Sequence, residues 1–129
     1  MNYKRGKETV EHQVLKCLVA DNLKSLGWVV RCEYLYCDVV GYHNDKNITI
    51  AFEVERSTRN ALGNLLRNKI NGFDAQVIIV PNKSVHSGIT HKLLSKHDDF
   101  LKAVILGKQL EDACIFAAIM EQVLRSIEK

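Results

Sequence analysis

Apolar positions in this chain change period several times, and each change predicts an element. From residue 8 to 26 they recur three and four apart, with Val14, Leu15, Leu18, Leu23 and Leu26 on one stripe. That spacing predicts a helix over about 8–26. The period then drops to two, predicting strands at about 28–36, 37–43 and 47–55. A helical pattern returns over 58–71, followed by the fully apolar run "AQVIIV" as a strand at 75–80. A short helix near 88–97, a strand at 103–106 and a helix at 110–128 complete the reading. Gly27 follows the first helix as a C′ glycine, Ser57 or Thr58 can cap the next, and Gly72 can end it. The sum is an α/β chain with an αβββαβ core: a central mixed β-sheet flanked by helices on both faces, plus a C-terminal helix. No repeat, linker or low-complexity tract divides residues 1–129, so one domain is expected.

The second hairpin, "DVVGYHNDKNITIAFEVE", carries acids where apolar strands would not place them. Along its second arm Ile48, Ile50, Phe52 and Val54 point one way, and Thr49, Ala51, Glu53 and Glu55 the other. A turn centred between Asp45 and Lys46 makes paired residue numbers sum to 91. Asp38 then lies opposite Glu53, with Cβ atoms about 5 Å apart. A one-residue change in the loop would move Asp38 to the other face. Facing carboxylates repel, and a hard divalent cation such as Mg²⁺ or Mn²⁺ relieves that. Scattered acids on a wet sheet face are the plain alternative, but Val40 and Ala51 beside them are residues of a buried kind.

Composition narrows the setting. With 129 residues, 47% of them hydrophobic, the chain can bury a full core. Net charge is +3, which is compatible with a polyanionic partner without requiring one. Cys17, Cys32, Cys37 and Cys114 form no C-x-x-C pair, which reads as free thiols in a reducing compartment rather than a metal site. No long apolar run or signal pattern is present, so an intracellular, cytoplasmic protein without a membrane partner is expected, whether encoded by a cell, virus or plasmid. A Gly-rich phosphate loop and a G-x-S-x-G turn are both missing, which argues against a nucleotide cofactor and serine hydrolase chemistry. His86, His91 and His97 lack tight ligand spacing and read as surface residues.

Two helix residues are drawn toward the hairpin acids. Glu11 falls on the apolar stripe of the first helix, with Glu8 near it as the other choice. In the second helix Lys69 sits within the stripe Leu62, Leu65, Leu66 and Phe73, where it must either snorkel or meet an acid.

These residues together resemble the PD-(D/E)xK nuclease superfamily, particularly the small archaeal Holliday-junction resolvases. The matching positions are Glu11 on a helix, then Gly27-Trp28-Val29-Val30-Arg31, Cys37-Asp38-Val39-Val40, and Phe52-Glu53-Val54-Glu55. The likeness spans about residues 5 to 80. It departs from the family pattern twice: Cys37 stands for the usual proline, and Glu55 for the lysine of E-x-K. Some members carry an acid there, and in others the lysine has moved to the neighbouring helix, which singles out Lys69. Loss of catalysis is the competing explanation.

The resemblance implies a metal-dependent DNA endonuclease acting on branched or otherwise structured DNA. In it Asp38, Glu53 and the Val54 carbonyl would hold Mg²⁺ or Mn²⁺, and Glu11 would bind a metal-bound water or a second metal. Glu55 would be an added ligand or general base, and Lys69 an electrostatic stabiliser. Arg56, Arg59 and Arg67, with the N-terminal Lys4, Arg5 and Lys7, are the cations available for DNA phosphates. In the last helix Phe116, Ile119, Met120, Val123, Leu124 and Ile127 form a broad stripe. That stripe packs on the sheet or, in part, forms a homodimer interface. The alternative function is a non-catalytic DNA-binding or assembly module that keeps the nuclease fold.

Overall fold

The computed structural model describes residues 8–127, which places the candidate contacts Lys4, Arg5 and Lys7 outside the described residues. Helix α1 (Val10–Ser25) precedes strands β1 (Val29–Tyr34), β2 (Cys37–His43) and β3 (Ile48–Val54). Helix α2 (Thr58–Ile70), strand β4 (Ala75–Val80) and helix α3 (Lys83–Ile89) follow. A π-turn at Thr90–Leu94, strand β5 (Leu101–Leu106), a 3₁₀ turn at Gly107–Glu111 and helix α4 (Ala113–Ile127) complete the chain. Among these residues no helix is long and apolar enough to cross a membrane.

The five strands form one sheet in the order β1-β2-β3-β4-β5. The first three are antiparallel neighbours, and β3, β4 and β5 run parallel. This is the expected mixed α/β sheet, with helices on both faces. Parity along β3 separates two cores. Ile48, Ile50, Phe52 and Val54 belong to the core shared with α1 and α4, while Ala51 belongs to that under α2 and α3. Strand β4 is buried along its whole length, as a parallel strand covered on both faces must be.

Contacts fix α1 closely against the sheet. A Cβ on Gly41 would come within 3.0 Å of Trp28 and 3.1 Å of Leu23, so only glycine lets this helix–strand corner approach so nearly. Asn22 donates a side-chain hydrogen bond to the Leu110 carbonyl at 2.9 Å, tying the helix to the turn before α4. In α4, Phe116, Met120 and Val123 are buried in the core with α1, which is the sheet-packing reading of its stripe.

Three boundaries differ from expectation. Helix α3 begins at Lys83 because the Asn82 side chain accepts the Val85 N–H and starts the helix directly after Pro81. Strand β5 starts two residues earlier than the apolar pattern implied, and the 3₁₀ turn delays α4 to Ala113. The β1–β2 connection is a two-residue turn closed by the pair Tyr34↔Cys37. Its residues Leu35 and Tyr36 both have positive φ (52° and 66°), as does Glu33 before them (55°). Backbone of this hand costs a residue with a Cβ about 1–2 kcal/mol.

Candidate metal centre at the carboxyl end of the sheet

The β2–β3 register is the one read from the sequence: Val39 pairs with Phe52 and His43 with Ile48. Asp38, opening β2, therefore lies beside Glu53, closing β3. The place is the carboxyl end of the parallel strands, where open α/β sheets bind ligands. Beyond the Val39–Phe52 pair the Val54 N–H bonds not to a main-chain carbonyl but to Asp38 Oδ2, at 2.8 Å. Asp38, Glu53 and Glu55 are all buried, with 2%, 2% and 3% of their surface exposed. A wet face is excluded by those values.

Buried carboxylates need partners, and α2 supplies them. Arg67 Nη2 reaches Glu53 Oε2 at 2.5 Å, and Asn68 Nδ2 donates to the same oxygen at 2.8 Å. Asn68 also donates to Gln76 Oε1 at 2.9 Å, and Asn64 donates to Glu55 at 2.8 Å. Burial, reinforced by the charge of Asp38, holds the Glu53 carboxyl above its ordinary range, against the pull of Asn68 and Arg67. Burial likewise pushes Glu55 up to about 7, with Asn64 opposing it and Asp38 adding to it.

On its other side Asp38 faces α1. His12 Nε2 lies 3.3 Å from Asp38 Oδ2 and 3.5 Å from Glu8 Oε2. That nitrogen is shielded from solvent and makes no hydrogen bond. Glu8, His12 and Asp38 each present one ligand atom, all within 4.8 Å of one another. Two carboxylate oxygens and an imidazole nitrogen are a donor set suited to one divalent cation of borderline character, Mn²⁺ or Zn²⁺ as well as Mg²⁺. Such a cation would also satisfy the unbonded imidazole nitrogen, so the residues fit the group. Lys16 balances the acids meanwhile: it bridges Glu8, at 2.8 Å, and Glu33. Burial raises the Glu8 carboxyl, but the Lys16 ammonium outweighs it and leaves the group below its ordinary value.

Two expected residues stand elsewhere. Glu11 is exposed in the first turn of α1, one turn before the buried Leu15, whereas Leu15 and Leu23 of the expected stripe are buried together with Val19 and Ala20. The neighbouring row, Ala20 and Lys16, extended backwards four residues at a time, meets His12 and Glu8. Lys69 points away from the acids and pairs with Asp99 at 2.8 Å on the surface. The inner row of α2 is Ala61, Leu65 and Asn68, leaving Leu62 and Leu66 exposed. The cation that meets Glu53 is consequently Arg67.

Arg56 and Arg59 are exposed just beyond β3, free of the hairpin acids. Cys37 fills the position before Asp38 with a buried thiol that donates to the Val39 and Phe52 carbonyls at 3.2 and 3.4 Å. Burial raises its pKa, so it is a packing residue and no nucleophile. His12, Asn64 and Asn68 were not singled out by the sequence reading. The Glu8–His12 spacing of four residues ahead of a helix was the available signal for the first. No family model, curated protein or solved structure matches this chain.

Proposed function

We propose that this chain is a divalent-metal-dependent phosphodiesterase that cuts DNA, of the PD-(D/E)xK type its hairpin resembles. One observation carries the reading. Asp38 joins two polar groups at the carboxyl end of the sheet, Glu8 and His12 on one side, Glu53 and Glu55 on the other. Buried acids gathered in one place with raised pKa values, more of them than their structural partners neutralise, mark a site for a cation or for chemistry.

In this reading Asp38, Glu8 and His12 would hold the cation, and Glu53 would join the set on exchanging Arg67 for it. When bound, the cation polarises a phosphate oxygen and lowers the pKa of water. Arg67 takes the place of the lysine that Glu55 displaced. Freed from Glu53, its guanidinium can pair two phosphate oxygens at once. Asn68 and Asn64 keep Glu53 and Glu55 in place as that exchange occurs. Arg56 and Arg59 supply phosphate contacts beside the acids. A homodimer is the natural working unit, because cutting both strands of a duplex takes two such sites.

The second reading, a DNA-binding module without catalysis, is favoured by the Arg67–Glu53 pair itself, which neutralises a ligand of the expected metal site. The two separate in one experiment: supercoiled plasmid, single-stranded DNA and a four-way junction incubated with Mg²⁺, Mn²⁺ or EDTA. Metal-dependent cutting that Asp38→Asn removes supports the enzyme. Retarded migration without cutting supports the module.

A further inference from the structure

Position 67 stands three residues after Asn64 and one before Asn68, so its guanidinium is held by α2 itself as well as by the sheet. Nη1 donates to Asn64 Oδ1 at 3.0 Å and Nη2 to Asn68 Oδ1 at 3.3 Å, besides the contact with Glu53 Oε2. An arginine grips a carboxylate best through two parallel N–H···O bonds. Here one nitrogen does so, and the shielded Nε makes no hydrogen bond among the described residues. Gln76 Nε2 is a second shielded donor left unmet there, on a side chain bonded to Asn68. Unmet buried donors weaken the arrangement that leaves them so.

The two halves of the pair are unequally covered. Glu53 keeps 2% of its side chain exposed and Arg67 30%, so a ligand from solvent reaches the guanidinium first. Glu53 lies beside Asp38 in the hairpin register, yet while Arg67 neutralises it the cluster of Asp38, Glu8 and His12 lacks its help in holding a cation. A phosphate drawn to Arg67 is in turn repelled by those acids until a cation neutralises them. Each ligand removes the obstacle to the other.

We propose that Arg67 is a latch on the cation site: it holds Glu53 in the free protein and gives it up when a phosphate takes the guanidinium. Cation and phosphate then each bind more tightly in the other's presence, by the same factor in both directions. A metal ion alone meets a closed site, which keeps the site idle until nucleic acid arrives. This inference rests on the proposed nuclease reading and adds the regulation of its site.

The test needs no cutting. Mn²⁺ affinity is measured by calorimetry without DNA, and binding of a single-stranded oligonucleotide by anisotropy in EDTA. Arg67→Gln should tighten Mn²⁺ by about 5- to 150-fold, the usual size of such couplings. That gain comes from the released Glu53 carboxylate, so it should vanish when Glu53→Gln is added. Glu53→Gln alone should tighten the oligonucleotide by a similar factor, and this gain should vanish in the double variant, since it comes from the guanidinium. Glu53→Gln strands no buried carboxylate, so its arm reads the exchange even if Arg67→Gln fails to fold.

Mn²⁺ affinity that Arg67→Gln leaves unchanged or weakens overturns the latch, as does oligonucleotide affinity that Glu53→Gln leaves unchanged or weakens. Gains that persist in the double variant overturn it too, because they then come from net charge alone. Each of these outcomes leaves the nuclease reading intact, since that stands on cutting through Asp38. Both gains in a protein that never cuts DNA with metal keep the latch and remove the nuclease.

Discussion

Arg67 reaches Glu53 at 2.5 Å, whereas Lys69, two residues further along the same helix, pairs with Asp99 on the surface. The two cations therefore differ in what their removal exposes. Arg67→Ala strands a buried carboxylate, and Lys69→Ala removes an exposed pair. Losing one partner of a fully buried pair costs about 3–5 kcal/mol. Arg67 is 30% exposed and Asn68 still serves Glu53, so about 2 kcal/mol is expected. Lys69→Ala should cost below about 1 kcal/mol. Urea denaturation of the two variants checks the difference, and adding Glu53→Gln should recover most of the Arg67 loss.

Glu53 and Glu55 both hold their protons more tightly in the folded chain than in the unfolded one. Their contribution to stability is complete below the ordinary carboxyl value of 4.5 and vanishes as pH rises through the folded values, about 7 for Glu55. Glu8, whose carboxyl is lowered, works the opposite way, but its contribution is lost only as pH falls below the ordinary carboxyl value, outside this window. In EDTA the urea midpoint should accordingly fall between pH 5 and 8, with a slope of at most about 1.4 kcal/mol per unit for each group. Glu53→Gln should flatten it. A midpoint that rises over this range would contradict the burial account.

Millimolar Mn²⁺ or Mg²⁺ should raise the melting temperature at pH 7.5, by about 2.7 kcal/mol of added stability at 100 times the dissociation constant. Asp38→Asn should abolish the rise. His12→Ala should cut the Mn²⁺ effect more than the Mg²⁺ effect, because magnesium takes oxygen ligands and manganese accepts imidazole more readily. The nitrogen coupling in the electron spin echo of bound Mn²⁺ should vanish in the same variant.

The choice of helix acid gives a separate contrast. Glu8→Gln should weaken the metal-induced stabilisation by several-fold in apparent affinity, while Glu11→Gln should leave it unchanged, since Glu11 is exposed and outside the cluster. Calorimetric titration with Mn²⁺ distinguishes them. Equal effects would mean that the N-terminal turn rearranges to bring either acid to Asp38.

The sheet was legible because period-two alternation marks the strands and a turn centred in "NDKN" gives the pairing sum of 91, which is the register the strands adopt. The stripe of α4 was legible too, whereas those of α1 and α2 were read only in part. In α1 the stripe rightly takes in Leu15 and Leu23 but also Val14 and Leu26, which are exposed, and misses Ala20, whose row leads back through Lys16 to His12 and Glu8. In α2 the apolar Leu62 and Leu66 look like the inner face beside Leu65, yet they are exposed and Asn68 is buried with Ala61 and Leu65. A polar side chain takes the inner row there because Glu53 and Gln76 require a donor, a demand that exists only once the strands are placed. Periodicity finds the faces of helices whose buried side is apolar. It misplaces those turned toward a buried polar site.

Metal-dependent cutting of DNA is the property that Asp38 and Arg67 should decide. A four-way junction and a continuous duplex of matched sequence, incubated with Mn²⁺ at pH 7.5, should both report on Asp38 and Arg67. The wild type should cut the junction in a metal-dependent way, Asp38→Asn should be inactive, and Lys69→Ala should match the wild type. Arg67→Ala should cut about 100- to 1,000-fold more slowly, as expected for loss of one preorganised charge. A wild type that binds the junction but cuts neither substrate with any divalent cation would contradict the account and leave a binding module on a nuclease-like sheet.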